Sequence, residues 1–189
     1  MLSVQDLSKI SGIRDRAILE TLFSTGLRVS ELVDLNVDDI SFDSNEFTVI
    51  GKGRKPRTVY LSDSAKKWLK KYLATRDDNF IPLFLRYSGK KMDEGDLEGE
   101  SLRLTARSIQ RMIKKYTARA GISVDVTPHT LRHTFATGLL KSGADLRSVQ
   151  ELLGHSSVTT TQIYTHVTNK QLKEVHRDFH RNIDVSSDE

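Results

Sequence analysis

Two pairs of residues in distant parts of the chain share a spacing that places each pair on one face of a helix. Arg28 and Glu31 are three apart, and so are His129 and Arg132. The second pair follows Thr127-Pro128, a capping hydroxyl and a first-turn proline that mark a helix start. The free N–H groups and positive dipole end of such a turn favour an anion. An arginine fork bonds two phosphate oxygens at once. With Lys52 in the turn Gly51-Lys52-Gly53, these side chains have the chemistry to surround a single phosphate.

Other chemistries fit less well. In a P-loop the first glycine would fall at Glu46 and the closing Ser or Thr at Gly53, so the Gly-Lys-Gly turn is not an ATP site. His129 and His133 have metal-ligand spacing, but Thr130 stands where a zincin carries Glu, and no metal site is expected. No Gly-x-Ser-x-Gly elbow is present, and the absence of cysteine excludes thiolate chemistry and a disulfide framework. Among the tyrosines, Tyr72 and Tyr116 lie on apolar helical stripes and read as core, Tyr60 ends a strand and Tyr87 lies in a loop. Tyr164 has no apolar stripe and follows polar Ser156, Thr159, Thr160, Thr161 and Gln162, which makes it the best exposed phenol. His133 reads as a packing or buried hydrogen-bonding residue, and His166 as structural rather than catalytic.

The elements that must position these residues are mostly helical. Ile13, Ala17, Ile18, Leu22 and Phe23 mark an amphipathic helix that Gly26 can end, and a short helix follows through Arg28, Glu31 and Leu35. The period then changes. Phe47 to Ile50 and Thr58 to Leu61 read as a β-hairpin with a basic tip between Gly51 and Pro56. Ser62 caps a helix carrying Leu69, Tyr72 and Leu73. Asp77 to Ser101 read as a loop with a short extended piece at Ile81 to Leu85. The next helix is buried through Ile109, Met112, Ile113 and Tyr116 and closes at Gly121, with Arg107, Arg111, Lys114 and Lys115 as a separate basic stripe. The Thr127-Pro128 helix runs to about Lys141, and another runs from Asp145 to Gly154. A helical turn over Val158 to Tyr164 precedes a last stripe of Leu172, Val175, Phe179 and Ile183. The fold class is mainly α with a small antiparallel β-sheet, an α+β domain.

A chain of 189 residues predicts one domain with its own core. Hydrophobic residues at 37% and charged residues at 29% exclude a disordered chain. No apolar run is long enough to cross a bilayer, and the first residues lack the pattern of a secretion signal, so the expected compartment is the cytoplasm. The formal net charge is only +4, but base and acid are segregated along the chain. Base collects in Lys52, Arg54, Lys55 and Arg57 and from Arg103 to Arg119; acid collects in Asp34, Asp38, Asp39, Asp43 and Glu46, from Asp93 to Glu100 and in the 184–189 tail. That split suggests one face for a polyanion.

These motifs resemble the catalytic domain of the tyrosine recombinase family, which includes the phage integrases and Xer recombinases. The resemblance rests on Arg14 to Leu19 with Thr25-Gly26-Leu27-Arg28-Val29-Ser30-Glu31-Leu32, and on Gly51-Lys52-Gly53 before a strand. It continues through His129-Thr130-Leu131-Arg132, Leu152-Leu153-Gly154-His155 and Tyr164-Thr165-His166-Val167, in register across nearly the whole chain. It implies that Tyr164 attacks a DNA phosphate and leaves a 3′-phosphotyrosine and a free 5′-hydroxyl. Arg28 and Arg132 hold the non-bridging oxygens, and Lys52 is the general acid for the leaving 5′-oxygen. His129 acts as base or donor, His155 donates to the phosphate, and Glu31 supports the site without reacting. The covalent bond preserves the phosphodiester energy, so the chemistry needs neither metal nor nucleotide cofactor. Arg54, Lys55, Arg57, Arg107, Arg111, Lys114 and Lys115 are candidates for contact with double-stranded DNA.

On this resemblance, residues 1–183 are expected to be the catalytic domain and about 170–183 a C-terminal exchange helix; the family's N-terminal DNA-clamping domain does not fall within these residues, as in a fragment of a longer protein or a minimal form. DNA affinity and sequence specificity are then expected to be low. The protein is expected to be a monomer when free and a homotetramer on two DNA sites. A type IB topoisomerase-like relaxing enzyme and a non-catalytic DNA-binding module are the alternatives.

Overall fold

The structure is a computed structural model that describes residues 1–51, 55–89, 91–154 and 177. Among the described residues, six α-helices and one hairpin appear in the order α1 (Ile10–Thr25), α2 (Val29–Val33), β1 (Glu46–Ile50), β2 (Pro56–Tyr60), α3 (Asp63–Leu73), α4 (Ala106–Arg119), α5 (Pro128–Lys141) and α6 (Leu146–Leu153), with single 3-10 turns at Val37–Asp39 and Glu100–Leu102. The domain is mainly helical with a two-stranded antiparallel sheet, as the sequence periods require. The helix starts follow their caps. Ser62, Thr105, Thr127 and Asp145 each accept a backbone N–H from the first turn that they precede. No helix among the described residues is long and apolar enough to cross a membrane.

The first helix departs from expectation. It is not an amphipathic surface helix: Ile13, Ala17, Ile18, Leu19 and Leu22 are buried, and so are Asp15, Glu20, Thr21 and Ser24 on other faces. The reason is its central position, with α3, α5 and β2 packed around it. Its polar side chains are satisfied internally. Thr21 and Thr25 donate back to carbonyls one turn earlier. Asp15 receives Arg14 through Nε at 2.9 Å and Tyr116 through its hydroxyl at 2.8 Å. A buried polar group of this kind is tolerated only when it is bonded.

The hairpin pairs Glu46 with Tyr60 and Ile50 with Pro56, and the Gly51 N–H closes it on the Lys55 carbonyl at 2.9 Å. Its tip, Lys52 to Arg54, lies outside the described residues. The 77–104 connection is anchored mainly by arginines rather than by a ladder. Arg76 donates to the carbonyls of Phe80, Pro82 and Leu83, and Arg103 to those of Val33 and Leu35. The extended piece expected at Ile81 to Leu85 survives as two isolated bridges, Asn36 with Pro82 and Leu85 with Arg103.

Two apolar clusters result. The larger joins α1 to α4 and the hairpin; the smaller holds Tyr60, Phe135, Leu139, Val149, Leu152 and Leu153. They meet at Gly26, whose backbone is left-handed (φ 60°). A Cβ there would lie 2.5 Å from the Phe135 ring, so glycine lets the end of α1 rest on α5 and α6. Leu27 and Arg28 leave the helix at that junction.

Candidate active site

The site is built where two helices end and one begins. Arg132 projects from the first turns of α5 and is 6% exposed. Its Nη1 donates to the Gly26 carbonyl at 2.6 Å and its Nη2 to the Leu153 carbonyl at 2.5 Å. Both acceptors lie at helix C-termini, where carbonyls lack intrahelical partners and carry the negative end of the dipole. The ends of α1 and α6 thus supply the negative partners that permit an arginine to be buried.

Arg28 sits at the N-cap of α2 and is anchored similarly. Its Nη2 donates to the Gly154 carbonyl at 3.1 Å and its Nη1 to Glu31 Oε1 at 2.7 Å. The other Glu31 oxygen accepts the Arg28 backbone N–H at 2.8 Å, so this carboxylate fixes both ends of the arginine. Arg28 keeps 32% of its side chain exposed, while that of Glu31 is only 6% exposed. Each anchored Nη carries a second hydrogen, which leaves the guanidinium able to grip an anion from outside.

His129 is exposed at the start of α5. With Arg28, Arg132, Thr127 and Gln110 it lines a cleft of about 520 Å³. Burial first, then the fields of Arg28 and Arg57, bring the Arg132 guanidinium down to about 10, against the opposing pull of Glu31. Cations that depress one another in this way gain from an incoming anion. Among the described residues, no group of three or more His, Asp or Glu side chains is placed to hold a metal ion.

The structure therefore brings Arg28, His129 and Arg132 together in one cleft, with Glu31 bracing Arg28 from behind. Lys52, His155 and Tyr164 lie outside the described residues, as do Arg54, the turn expected over 158–164 and the exchange helix expected over 170–183. The residues just before Lys52 and His155 nevertheless lie beside the groups that hold Arg28. A Cβ on Gly51 would lie 4.0 Å from Glu31 Oε1, and Gly154 holds Arg28 directly.

Two sequence expectations are corrected. Arg57 is not part of an exposed basic tip. Its side chain is 8% exposed and bonds Glu31 Oε2 at 2.6 Å, because strand register turns it toward the core face shared with Val49. His133 is exposed rather than packed, one residue beyond Arg132 and away from the Phe135 face. Lys55, Arg107, Arg111, Lys114 and Lys115 are exposed. Gln110, which sequence reasoning passed over, joins the α4 stripe to the cleft; its signal was its spacing of three and four residues from Arg107 and Lys114.

Comparison with known proteins agrees with this geometry. The model of the Phage integrase family matches residues 2–171. The chain is 42% identical over 186 residues to tyrosine recombinase XerD of Staphylococcus saprophyticus, covering 95% of this chain and 59% of that protein. It is 44% identical over 185 residues to tyrosine recombinase XerC of Chlamydia caviae, covering 95% and 55%. The chain thus spans a little over half the length of these relatives. Among solved structures, XerA recombinase superposes with a TM-score of 0.66 at 38% identity, covering 90% of this chain and 59% of that one. XerH recombinase bound to its difH substrate in a pre-cleavage complex gives 0.66 at 27% identity, covering 92% and 48%. With a family model matching most of its length and relatives above 40% identity, the chain belongs to the phage integrase family of tyrosine recombinases.

Proposed function

We propose that this chain is the catalytic domain of a site-specific DNA recombinase that cleaves and rejoins strands through a 3′-phosphotyrosyl bond at Tyr164. The observation that carries this reading is the convergence of Arg28 and Arg132 on one cleft, each held by helix-end carbonyls with donors to spare. A transferring phosphoryl group places negative charge on its oxygens, and preorganised donors stabilise that charge without reorganising. The first turn of α5 adds the positive end of its dipole to the same side, with the N–H groups of Thr130 and Leu131 already held by Thr127.

In this mechanism the two guanidiniums take the non-bridging oxygens. The Tyr164 oxygen attacks phosphorus as its proton leaves, with His129 as base or donor. Tyrosine has a pKa near 10, so the cationic cleft also serves to favour the phenolate. The P–O bond to the 5′-oxygen breaks as Lys52 delivers a proton, and His155 donates to the phosphate. A 5′-hydroxyl from a second duplex then reverses the step. The exposed bases of α4, with Lys55 and Arg54, contact the DNA backbone. Four copies on two sites carry out the exchange; the free protein is a monomer, and the stripe at Leu172, Val175, Phe179 and Ile183 docks between copies.

Incubation with nicked duplexes of randomised sequence, followed by denaturing electrophoresis, tests the reading. A recombinase gives a covalent protein–DNA band and joins strands between duplexes. A relaxing enzyme gives the band but reseals only the original strand, and a binding module gives no band.

A further inference from the structure

Arg57 occupies a position where strand alternation calls for an apolar side chain. In the hairpin register it faces Val49, on the side that also carries buried Phe47 and Val59. A guanidinium on that face is costly to desolvate and requires partners. It has one carboxylate, Glu31 Oε2 at 2.6 Å, while Nε and Nη1 are buried with no hydrogen-bond partner. Its contacts reach two parts of the arginine clamp.

The first is Glu31. One carboxylate bridges two guanidiniums, Arg28 on Oε1 and Arg57 on Oε2, and so cannot rotate without losing one of them. The second is Gly154. A Cβ there would lie 2.7 Å from Arg57 Cδ and 2.8 Å from Nε, so the arginine stem runs directly beneath this residue. Gly154 in turn accepts from Arg28 and precedes His155. Arg57 therefore touches both groups that hold Arg28, from a strand that begins just after the Lys52 turn.

We propose that Arg57 is a positioning residue for strand transfer, fixing Arg28 through Glu31 and supporting the Gly154 turn from below. It does not touch DNA in this role. The inference rests on the strand-transfer reading, and its test separates the two.

The first measurement needs no DNA. In the full chain labelled with 15N-arginine, with Arg28→Lys used for assignment, the Arg28 guanidinium protons report how firmly it is held. Arg57→Gln and Glu31→Gln are both expected to speed their exchange with water about tenfold or more, as lost hydrogen bonds do. Unchanged Arg28 exchange in Arg57→Gln overturns the proposal whether or not the protein acts on DNA.

The second measurement is covalent trapping on nicked duplexes under single-turnover conditions. A misplaced clamp should lower the maximal rate in Arg57→Gln about 10²-fold, with half-saturating DNA concentration changed less than about twofold. A normal maximal rate with weakened affinity makes Arg57 a DNA contact and overturns the proposal. Failure of the wild-type protein to form any adduct overturns the strand-transfer reading instead, and the exchange result still decides the role of Arg57. Should Arg57→Gln not fold, Arg57→Lys, which keeps the charge and loses the fork, carries both measurements with the same outcomes.

Discussion

Arg132 and Arg28 are anchored on consecutive carbonyls of one helix end: Arg132 Nη2 donates to Leu153 O at 2.5 Å and Arg28 Nη2 to Gly154 O at 3.1 Å. The C-terminus of α6 therefore sets the spacing between the two guanidiniums. It can do so because Gly154 turns left-handed (φ 62°), which aims adjacent carbonyls at arginines arriving from α2 and α5.

Gly154→Ala should damage this anchor more than it damages the fold. The left-handed backbone alone costs a side chain about 1–2 kcal/mol. The new Cβ also meets Arg57 at 2.7 Å, so the turn or the arginine must shift. Thermal unfolding should show a modest loss, while covalent trapping falls about 10²-fold. A wild-type trapping rate in a folded Gly154→Ala protein contradicts the anchoring role.

Arg132→Lys removes the fork that spans Gly26 O and Leu153 O and keeps the charge. An ammonium reaches one carbonyl and leaves the other buried without a partner, at about 1–3 kcal/mol. Loss of a preorganised donor to the phosphate should lower adduct formation about 10²–10³-fold. Equal rates for lysine and arginine would mean that charge alone matters at this position.

Asp15→Asn tests the core rather than the site. Asp15 is buried on α1 and bonds both Arg14 and Tyr116. Breaking a buried charged pair while leaving its partner in place costs about 3–5 kcal/mol. Denaturant unfolding should register that loss.

Alkaline pH should destabilise the protein through its buried phenols. Burial pushes Tyr60, Tyr72 and Tyr116 up, and the Asp15 carboxylate adds to the effect at Tyr116. A group raised in the folded state contributes stability that is intact below its unfolded value and is lost as pH rises above it. Above about pH 10 the unfolded chain releases these protons and the folded chain retains them, so stability falls by about 1.4 kcal/mol per pH unit for each such group. Tyr116→Phe should reduce that slope by about one proton. An unchanged slope in denaturant melts between pH 10 and 11 would show that Tyr116 ionises normally in the fold.

Much of this was legible in the sequence. Caps at Ser62, Thr127 and Asp145 and the turn at Gly26 act through local bonds, and local signals predict local bonds. The pairing of Arg28 with Glu31 was legible in their spacing, although Arg28 stands at the extended N-cap of α2 rather than on its face. The orientation of Arg57 was also available, since it stands two residues before buried Val59 on the same strand face, but a charged residue beside a basic tip reads as exposed. The all-round burial of α1 was not readable, because three elements distant in sequence create it. The anchoring of Arg132 on Gly26 and Leu153 was hidden for the same reason: its acceptors are backbone carbonyls, which carry no residue signature.

In the proposed strand transfer, the cleft holding Arg28 and Arg132 delivers a DNA phosphate to Tyr164. The most direct measurement traps the protein on nicked duplex DNA, digests both components and identifies the modified peptide by mass spectrometry. A nucleotide joined through its 3′-phosphate to Tyr164 is expected, with no adduct in Tyr164→Phe and DNA binding retained in that variant. An adduct on any other residue, or one that persists in Tyr164→Phe, would contradict it.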